Sequence, residues 1–223
     1  MIGIYDYTVI LTYLSALSAI FGMGLVMNGH PILSTICLLF CGLCDMFDGK
    51  VARTKKNRSE TEKAFGIQID SLSDVIAFGV LPAVIVLFLC RSCWYAYIVA
   101  PLYALTGLIR LAYFNVTEEM RQKSTDEGLK SYSGLPITSA AMIFPVFFCA
   151  MAVYCVCTYG SIDPYKDMFD SSVPGMLLCG LMALTGLCFI LPFHIRKPQS
   201  KELLLFLVLG ILIAAVLLLA IFL

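Results

Sequence analysis

Seven apolar stretches, each about twenty residues long, constrain this chain more than any other feature. They lie at residues 8–27, 31–50, 67–90, 93–114, 136–158, 173–193 and 202–222. Sixty per cent of the 223 residues are hydrophobic and only 13% are charged, which is more apolar surface than a soluble domain of this length can bury. Because backbone groups in lipid must bond within their own segment, these stretches are predicted to be helices. The sequence therefore predicts one all-α domain over residues 1–223, a polytopic helical bundle in a membrane.

The basic residues lie almost entirely on one side of the predicted membrane. With an inward N-terminus, most of them fall in the loops after the second, fourth and sixth spans or at the adjoining helix ends: Lys50, Arg53, Lys55, Lys56, Arg58, Lys63, Arg110, Arg121, Lys123, Lys130, Arg196, Lys197 and Lys201. Only Arg91 and Lys166 fall on the other side. Cytoplasmic loops are enriched in lysine and arginine, so the first side is predicted to face the cytoplasm. Residues 116–134 are too hydrophilic to enter the membrane.

Four aspartates lie where the second span ends and the third begins, at the predicted cytoplasmic boundary. Asp45 and Asp48 are three residues apart on the second span. Asp70 and Asp74 are four apart on the third, so each pair projects from one face of its helix. Carboxylates at a bilayer edge repel one another and are costly to desolvate. A bound divalent cation relieves both costs, and all-oxygen ligands favour magnesium, manganese or calcium over zinc.

Very small residues share the helix faces that carry these acids. Gly49 and Ala52 lie on the stripe of the first pair, and Gly66 lies on the stripe of the second. Glycine inside a helix costs about 1 kcal/mol relative to alanine, so a ligand or a partner helix is expected to approach the backbone there. Such residues can also be plain packing contacts, but the register shared with four acids favours a site. Arg53, directly after Ala52, is placed to meet a phosphate oxygen.

The segments DMFDGKVAR at residues 45–53 and GIQIDSLSD at residues 66–74 closely resemble the motif of the CDP-alcohol phosphotransferase family. These integral membrane enzymes transfer a phosphatidyl or related group from a CDP-linked donor to an alcohol. All eight motif positions match, and the resemblance extends from near the start of the chain to at least residue 141. It implies a six-helix family core followed by one further C-terminal span. One departure is the loop at residues 54–65, which is longer than is common in the family.

The resemblance also implies roles for the motif residues. One or more Mg²⁺ or Mn²⁺ ions would bind to Asp45, Asp48, Asp70 and Asp74. Asp74 would in addition be the general base that takes the proton of the acceptor hydroxyl. The nucleotide and the diphosphate of the donor would lie against Gly49, Ala52, Arg53 and Gly66. Attack would fall on the β-phosphate, with CMP leaving. A homodimer is expected, and no nucleic-acid partner.

The acceptor alcohol is indicated by three further segments. IRLAYFN at 109–115, SGLPI at 133–137 and FGIQIDSLSDVIAFGVLPA at 65–83 are similar to the phosphatidylserine synthase branch of the family, whose donor is CDP-diacylglycerol and whose acceptor is L-serine. Arg110 is the candidate for the serine carboxylate or for a phosphate, although it can also be read as an interfacial anchor. Asn115 is a candidate for polar contacts with the acceptor.

Two other functions stay open from the sequence alone. The acceptor of the same reaction could be glycerol phosphate, inositol or inositol phosphate, but a phosphorylated acceptor would require more cations in the pocket than Arg110. A carboxylate-lined cation transporter would place its ions near the bilayer midplane, whereas these acids lie at its edge. The sequence therefore favours a phospholipid-synthesising transferase of a prokaryotic cytoplasmic membrane, with membrane lipid around it and its active site at the cytoplasmic face.

Overall fold

The computed structural model describes residues 3–124, 131–170, 173–196 and 200–222, and in these residues seven helical spans are long and apolar enough to cross a membrane. The helices are α1 Ile10–Met27, α2 Pro31–Ala52, α3 Glu60–Asp74, α4 Leu81–Leu89, α5 Ala96–Ser124, α6 Ala140–Tyr159, α7 Val173–Ile190 and α8 Ser200–Ile221. A π-helix, Val75–Val80, joins α3 to α4, so these three elements form one continuous span. Short 3₁₀ helices lie at Tyr7–Val9, Ile137–Ser139 and Asp163–Lys166. The predicted all-α membrane bundle is confirmed.

Two helices extend further than hydropathy predicted. The third span was expected from residue 67, but α3 begins at Glu60, because Ser59 and Glu62 form a capping box at its N-terminus. The fourth was expected to end at residue 114, but α5 continues through its polar end to Ser124. Hydropathy locates only the part of a helix that lies in lipid, so a polar extension into water is missed. Of the predicted inward-facing lysines, Lys130 and Lys197 lie outside the described residues.

A small antiparallel ladder, which the sequence did not predict, joins two segments outside the spans. Its strands are β1 Ser131–Ser133 and β2 His194–Arg196. Directly after β1, the amide of Gly134 donates to the carbonyl of Phe193 at 2.6 Å. The amide of Leu135 donates to the carbonyl of Cys188 at 3.1 Å. These contacts fix the segment that precedes α6 against the end of α7.

Aromatic side chains pack together where α5, α6 and α7 meet. In lipid the hydrophobic effect does little to hold helices together, so close packing and hydrogen bonds must do so. The Tyr103 ring lies with its centroid 5.5 Å from those of both Phe144 and Phe189. The Tyr103 hydroxyl donates to the carbonyl of Phe78 at 2.7 Å. Pro82 has no N–H with which to bond that carbonyl four residues earlier, so the tyrosine satisfies it.

Candidate active site

Three of the four motif aspartates converge between α2 and α3. Asp45, Asp70 and Asp74 each offer a carboxylate oxygen, and these oxygens lie within 4.8 Å of one another. Ligands on opposite sides of Mg²⁺ are about 4.2 Å apart, twice the metal–oxygen distance, so this spacing fits a single small divalent cation. Asp48 lies beside the group, because its carboxyl is within hydrogen-bonding reach of that of Asp70. The donor set is all oxygen, which suits magnesium or manganese.

Two serines that sequence reasoning missed orient α3 toward α2. The Ser73 hydroxyl donates to the carbonyl of Thr12 in α1 at 3.1 Å. The side-chain amide of Asn115 in α5 donates to the Ser71 hydroxyl at 2.8 Å. Leu72, between the two serines, is 59% exposed on the outer face of the bundle. Because helix geometry sends these side chains in different directions, the aspartates on either side are left facing α2.

Asp74 is the deepest of the converging acids, with only 7% of its surface exposed. It is the last residue of α3, and the π-helix Val75–Val80 begins directly after it. Single π-turns inside helices are often found at functional sites, because the wider turn changes the direction of the side chains around it. The bond between Tyr103 and the carbonyl of Phe78 fixes this turn from α5. The position of the Asp74 carboxyl is therefore set by packing on the side away from solvent.

A cleft of about 260 Å³ opens onto the converging carboxylates. Its walls come from α2, α3, α5 and the segment before α6, and are lined by Asp45, Asp70, Asp74, Arg110, Leu111, Phe114, Pro136, Ile137 and Thr138. Arg110 is itself buried, with 7% of its surface exposed. Its Nε donates to the carbonyl of Leu135 at 3.2 Å, and its guanidinium carbon lies 5.6 Å from the centre of the Phe114 ring. The cleft thus combines a carboxylate cluster with one buried cation.

Gly134 explains how the segment before α6 can reach Arg110. Its φ is +77°, a backbone conformation that residues with a Cβ rarely adopt. A Cβ at this position would also lie 3.1 Å from the carbonyl oxygen of Leu191 and 3.6 Å from Nε of Arg110. The glycine in SGLPI therefore permits a close backbone approach, and this approach brings the carbonyl of Leu135 to Arg110.

The two motif glycines lie under arginine side chains. A Cβ added to Gly49 would be 3.7 Å from Nη1 of Arg53, and one added to Gly66 would be 2.6 Å from Nη2 of Arg58. Ala52 is half-buried at the last turn of α2. Arg53 and Arg58 thus lie beside the two glycines, on the helix faces where the resemblance implied the nucleotide of the donor. Arg58 was noted from the sequence only as one basic residue of a polar loop.

The loop between α2 and α3 is fixed to the N-terminal segment by ion pairs. Nζ of Lys55 lies 2.7 Å from Oδ2 of Asp6 and 2.8 Å from Oε1 of Glu62. The Tyr7 hydroxyl also lies 3.2 Å from that of Thr54. The hydrogen bond from Lys55 lowers the pKa of Asp6, and the two carboxylates raise the pKa of Lys55 above its usual value. The α2–α3 loop is therefore fixed by contacts with the N-terminal segment and with the first turn of α3.

The structure brings together most of the residues that the sequence singled out. The aspartates, Arg53, Gly49 and Gly66 lie at one end of the bundle, and Arg110 joins three of the acids in the cleft. Asn115 differs, because its amide donates to Ser71 rather than appearing in the lining of the cleft. Ser71 and Ser73 could have been noticed as hydroxyl groups within an apolar span, since polar side chains there turn toward other helices.

Known proteins of one family are similar to this chain in sequence. Residues 7–173 match a family described as CDP-alcohol phosphatidyltransferase. Archaetidylserine synthase of Methanothermobacter thermautotrophicus is 37% identical over 140 residues, which cover 62% of this chain and 56% of that protein. CDP-diacylglycerol–serine O-phosphatidyltransferase of Saccharomyces cerevisiae is 34% identical over 123 residues, covering 54% and 43%. The enzyme of that name from Helicobacter pylori strain J99 is 31% identical over 162 residues, covering 72% and 58%. The chain therefore matches about half the length of each of these relatives.

Proposed function

This chain belongs to the CDP-alcohol phosphatidyltransferase family, and on that basis we propose that it transfers the phosphatidyl group of CDP-diacylglycerol to the hydroxyl of L-serine. The products would be phosphatidylserine and CMP, the reaction of a CDP-diacylglycerol–serine O-phosphatidyltransferase. The observation that carries the proposal is one cleft shared by Asp45, Asp70, Asp74 and Arg110. The choice of acceptor is supported by three similar proteins, one named a synthase of a serine phospholipid and two named serine phosphatidyltransferases.

The positions of the acids support the chemistry that we assign to them. Asp74 is the general base, because it is the most deeply buried carboxylate of the cleft and is fixed by the π-helix that follows it. It would accept the proton of the serine hydroxyl as that oxygen attacks the β-phosphate and CMP departs. Asp45, Asp48 and Asp70, together with Asp74, would hold one or more Mg²⁺ or Mn²⁺ ions. When bound, a divalent cation offsets the negative charge of the donor diphosphate and of the departing CMP.

Arg110 is the residue we assign to the acceptor carboxylate. Guanidinium groups bind carboxylates through two parallel hydrogen bonds, and Arg110 lines the cleft with three of the acids. Among the described residues it is the one cation in that lining, which suits serine better than an acceptor that carries a phosphate. Asn115 would act through its hydrogen bond to Ser71, which would hold the end of α3 in place on the acceptor side of the cleft.

The donor would lie at the outer edge of the same site. Its nucleotide would lie beside α2 and α3 near Gly49, Ala52 and Gly66, and Arg53 would supply a charge for its diphosphate. The acyl chains of the donor belong to the surrounding lipid. With the positive-inside distribution of lysine and arginine, this site would open to the cytoplasm in a prokaryotic cytoplasmic membrane. We further propose that the protein acts as a homodimer, as the family resemblance implies.

The test is a comparison of acceptors. Purified protein in detergent, with Mg²⁺ or Mn²⁺ and CDP-diacylglycerol, is given serine, inositol, glycerol phosphate or inositol phosphate in separate reactions, and released CMP is measured. We expect CMP release with serine and only background release with the other three. CMP release with a phosphorylated alcohol alone would overturn the serine assignment while leaving the transferase class in place.

A further inference from the structure

The arginines over the two motif glycines form a pair, of which the family motif contains only one member. Gly49 lies one turn after Asp45 on α2, and Gly66 lies one turn before Asp70 on α3. Arg53 covers the first glycine and Arg58 covers the second. The two guanidinium groups therefore lie on the two helices that carry the acids, on the side of the acids toward the α2–α3 loop. Arg58 belongs to the longer loop by which this chain departs from its family.

Arg58 is held differently from Arg53. Arg53 is exposed, whereas Arg58 is half-buried. The Arg58 Nη2 donates to the carbonyl of Glu62 at 3.0 Å, which lays the guanidinium along the first turns of α3. Its Nε is buried, and no described residue accepts a hydrogen bond from it. A buried donor without an acceptor is unfavourable, so a ligand oxygen that reaches Nε would be bound favourably.

The backbone around Arg58 is well anchored. Arg58 directly precedes Ser59, whose side chain and backbone form the capping box with Glu62. Glu62 also pairs with Lys55, which pairs in turn with Asp6. The guanidinium is therefore presented from a fixed loop rather than from a free one. A fixed cation loses less conformational freedom when it binds an anion, which is the advantage of preorganisation.

We propose that Arg58 binds the donor, with Nε–H and a terminal N–H donating to oxygens of the phosphate next to the cytidine of CDP-diacylglycerol. This rests on the proposed function, because it takes the donor to be a CDP-linked lipid. Guanidinium suits the task because its planar fork matches two phosphate oxygens at once. Gly66 leaves the space that the Arg58 guanidinium occupies on α3, and Arg53 lies over Gly49 on α2. Arg58 is thus a second donor-binding arginine, supplied by the longer loop.

The experiment compares Arg58→Gln and Arg58→Lys with Lys63→Gln as a matched control. Lys63 lies just beyond Arg58 in the first turn of α3, is exposed and pairs with Glu60, so its replacement removes one charge from the same surface. Initial rates are measured against CDP-diacylglycerol and against serine. Because hydrogen bonds to charged groups are worth a factor of about ten or more, Arg58→Gln should raise the KM for the donor by about tenfold. The kcat, the KM for serine and the Tm should stay close to wild type.

The remaining outcomes separate the proposal from its premise. The donor KM of Arg58→Lys should fall between those of wild type and Arg58→Gln, because lysine keeps the charge but lacks the planar guanidinium that binds two oxygens at once. A donor KM for Arg58→Gln no higher than that of Lys63→Gln would overturn the proposal, as would a uniform loss of kcat and Tm in both Arg58 variants. Equilibrium binding of CDP-diacylglycerol without acceptor is measured in parallel. If wild type binds the donor but transfers nothing to serine, the proposed acceptor fails, while weaker donor binding by Arg58→Gln would still support Arg58.

Discussion

Two groups of aspartates, Asp167 with Asp170 at one end of the bundle and the converging Asp45, Asp70 and Asp74 at the other, have opposite surroundings. In the loops at the far end, Asp167 accepts a hydrogen bond from Arg91 at 2.9 Å, and Asp170 accepts from the Ser92 amide at 2.9 Å and from Arg91 at 3.3 Å. Burial opposes ionisation of Asp170, but these hydrogen bonds outweigh it and hold its pKa below its usual value. At the other end, Asp45, Asp70 and Asp74 face one another, and no lysine or arginine among the described residues forms an ion pair with them.

This difference separates acids that pair with basic residues from acids that could hold a cation. Asp6 and Glu62, which lie at the same end as the cleft, are nevertheless paired with Lys55. Pairing therefore does not depend on which end of the bundle an acid occupies. The three converging carboxylates are instead kept together by Ser71, Ser73 and the packing of α3. A protein tolerates such a cluster when a ligand offsets its charge, and this is the basis of the metal assignment.

The sharpest test of the comparison replaces one aspartate from each end. Asp74→Asn should lower kcat by about 100- to 10,000-fold, because the amide cannot accept the proton of the serine hydroxyl. Donor binding, measured at equilibrium without serine, should be largely retained. Asp167→Asn is the matched control and should leave kcat within about twofold of wild type, as expected for an exposed ion pair. A near-normal rate for Asp74→Asn would remove the general base from the account.

A second test compares the buried arginine with the exposed one. Arg110→Gln should raise the KM for serine by about tenfold or more, because a charge-assisted pair with the acceptor carboxylate is lost. Arg110→Lys should recover part of that affinity, and the KM for CDP-diacylglycerol should change little. Arg91→Gln, at the far end, should alter neither KM. If serine binding is unaffected in both Arg110 variants, Arg110 is an anchor of the membrane boundary and does not bind the acceptor.

A smaller effect on kcat is expected from removing the hydrogen bond between Asn115 in α5 and Ser71 in α3. If Asn115 acts through Ser71, then Asn115→Ala and Ser71→Ala should each lower kcat a few-fold, and the double variant should lower it no further. Non-additivity of this kind is expected when two residues share one interaction. An increase in the KM for serine with Asn115→Ala alone would support the direct acceptor contact that the sequence predicted.

The smallest effect is expected for a single substitution at the far end of the bundle, measured as a change in Tm. Asp170→Asn should lower the Tm by no more than a few degrees, because exposed ion pairs contribute little to stability. As the pKa of Asp170 is lowered in the folded protein, its contribution is present above the unfolded value of 3.8 and is lost as pH falls through the folded value. The Tm difference between Asp170→Asn and wild type should therefore shrink in acid. A difference that persists at a pH below the folded pKa would argue against the pairing.

The sequence predicted which acids lie together better than it predicted the residues that hold their helices in place. Asp70 and Asp74 share a face because the periodicity of a helix is local, and Asp45 joins them because spans two and three are adjacent in the chain. Which residues orient α3 depends on its neighbours α1 and α5, and no local pattern contains that information. Ser71 and Ser73 were missed for this reason, and so was the bond from Tyr103 to the carbonyl of Phe78.

The boundaries show a similar limit. The start of α3 at Glu60 could have been read from Ser59 and Glu62, whose spacing is that of a capping box, but hydropathy alone finds only the lipid-embedded turns. The wider turn after Asp74 has no sequence signal of comparable strength. Likewise, Arg110 was recognised as the one basic residue in an apolar segment, whereas its fixation by Leu135 depends on the fold around Gly134.

The most direct test of the account is to locate a bound metal. Crystals grown with Mn²⁺ and the CDP-linked donor should give an anomalous difference peak within about 2.5 Å of carboxylate oxygens of Asp45, Asp70 and Asp74. No such peak should occur at Asp167 or Asp170, whose oxygens are occupied by Arg91 and Ser92. Absence of manganese from the converging carboxylates, with their side chains turned away from one another, would contradict the assignment of metal-assisted transfer to this end of the bundle.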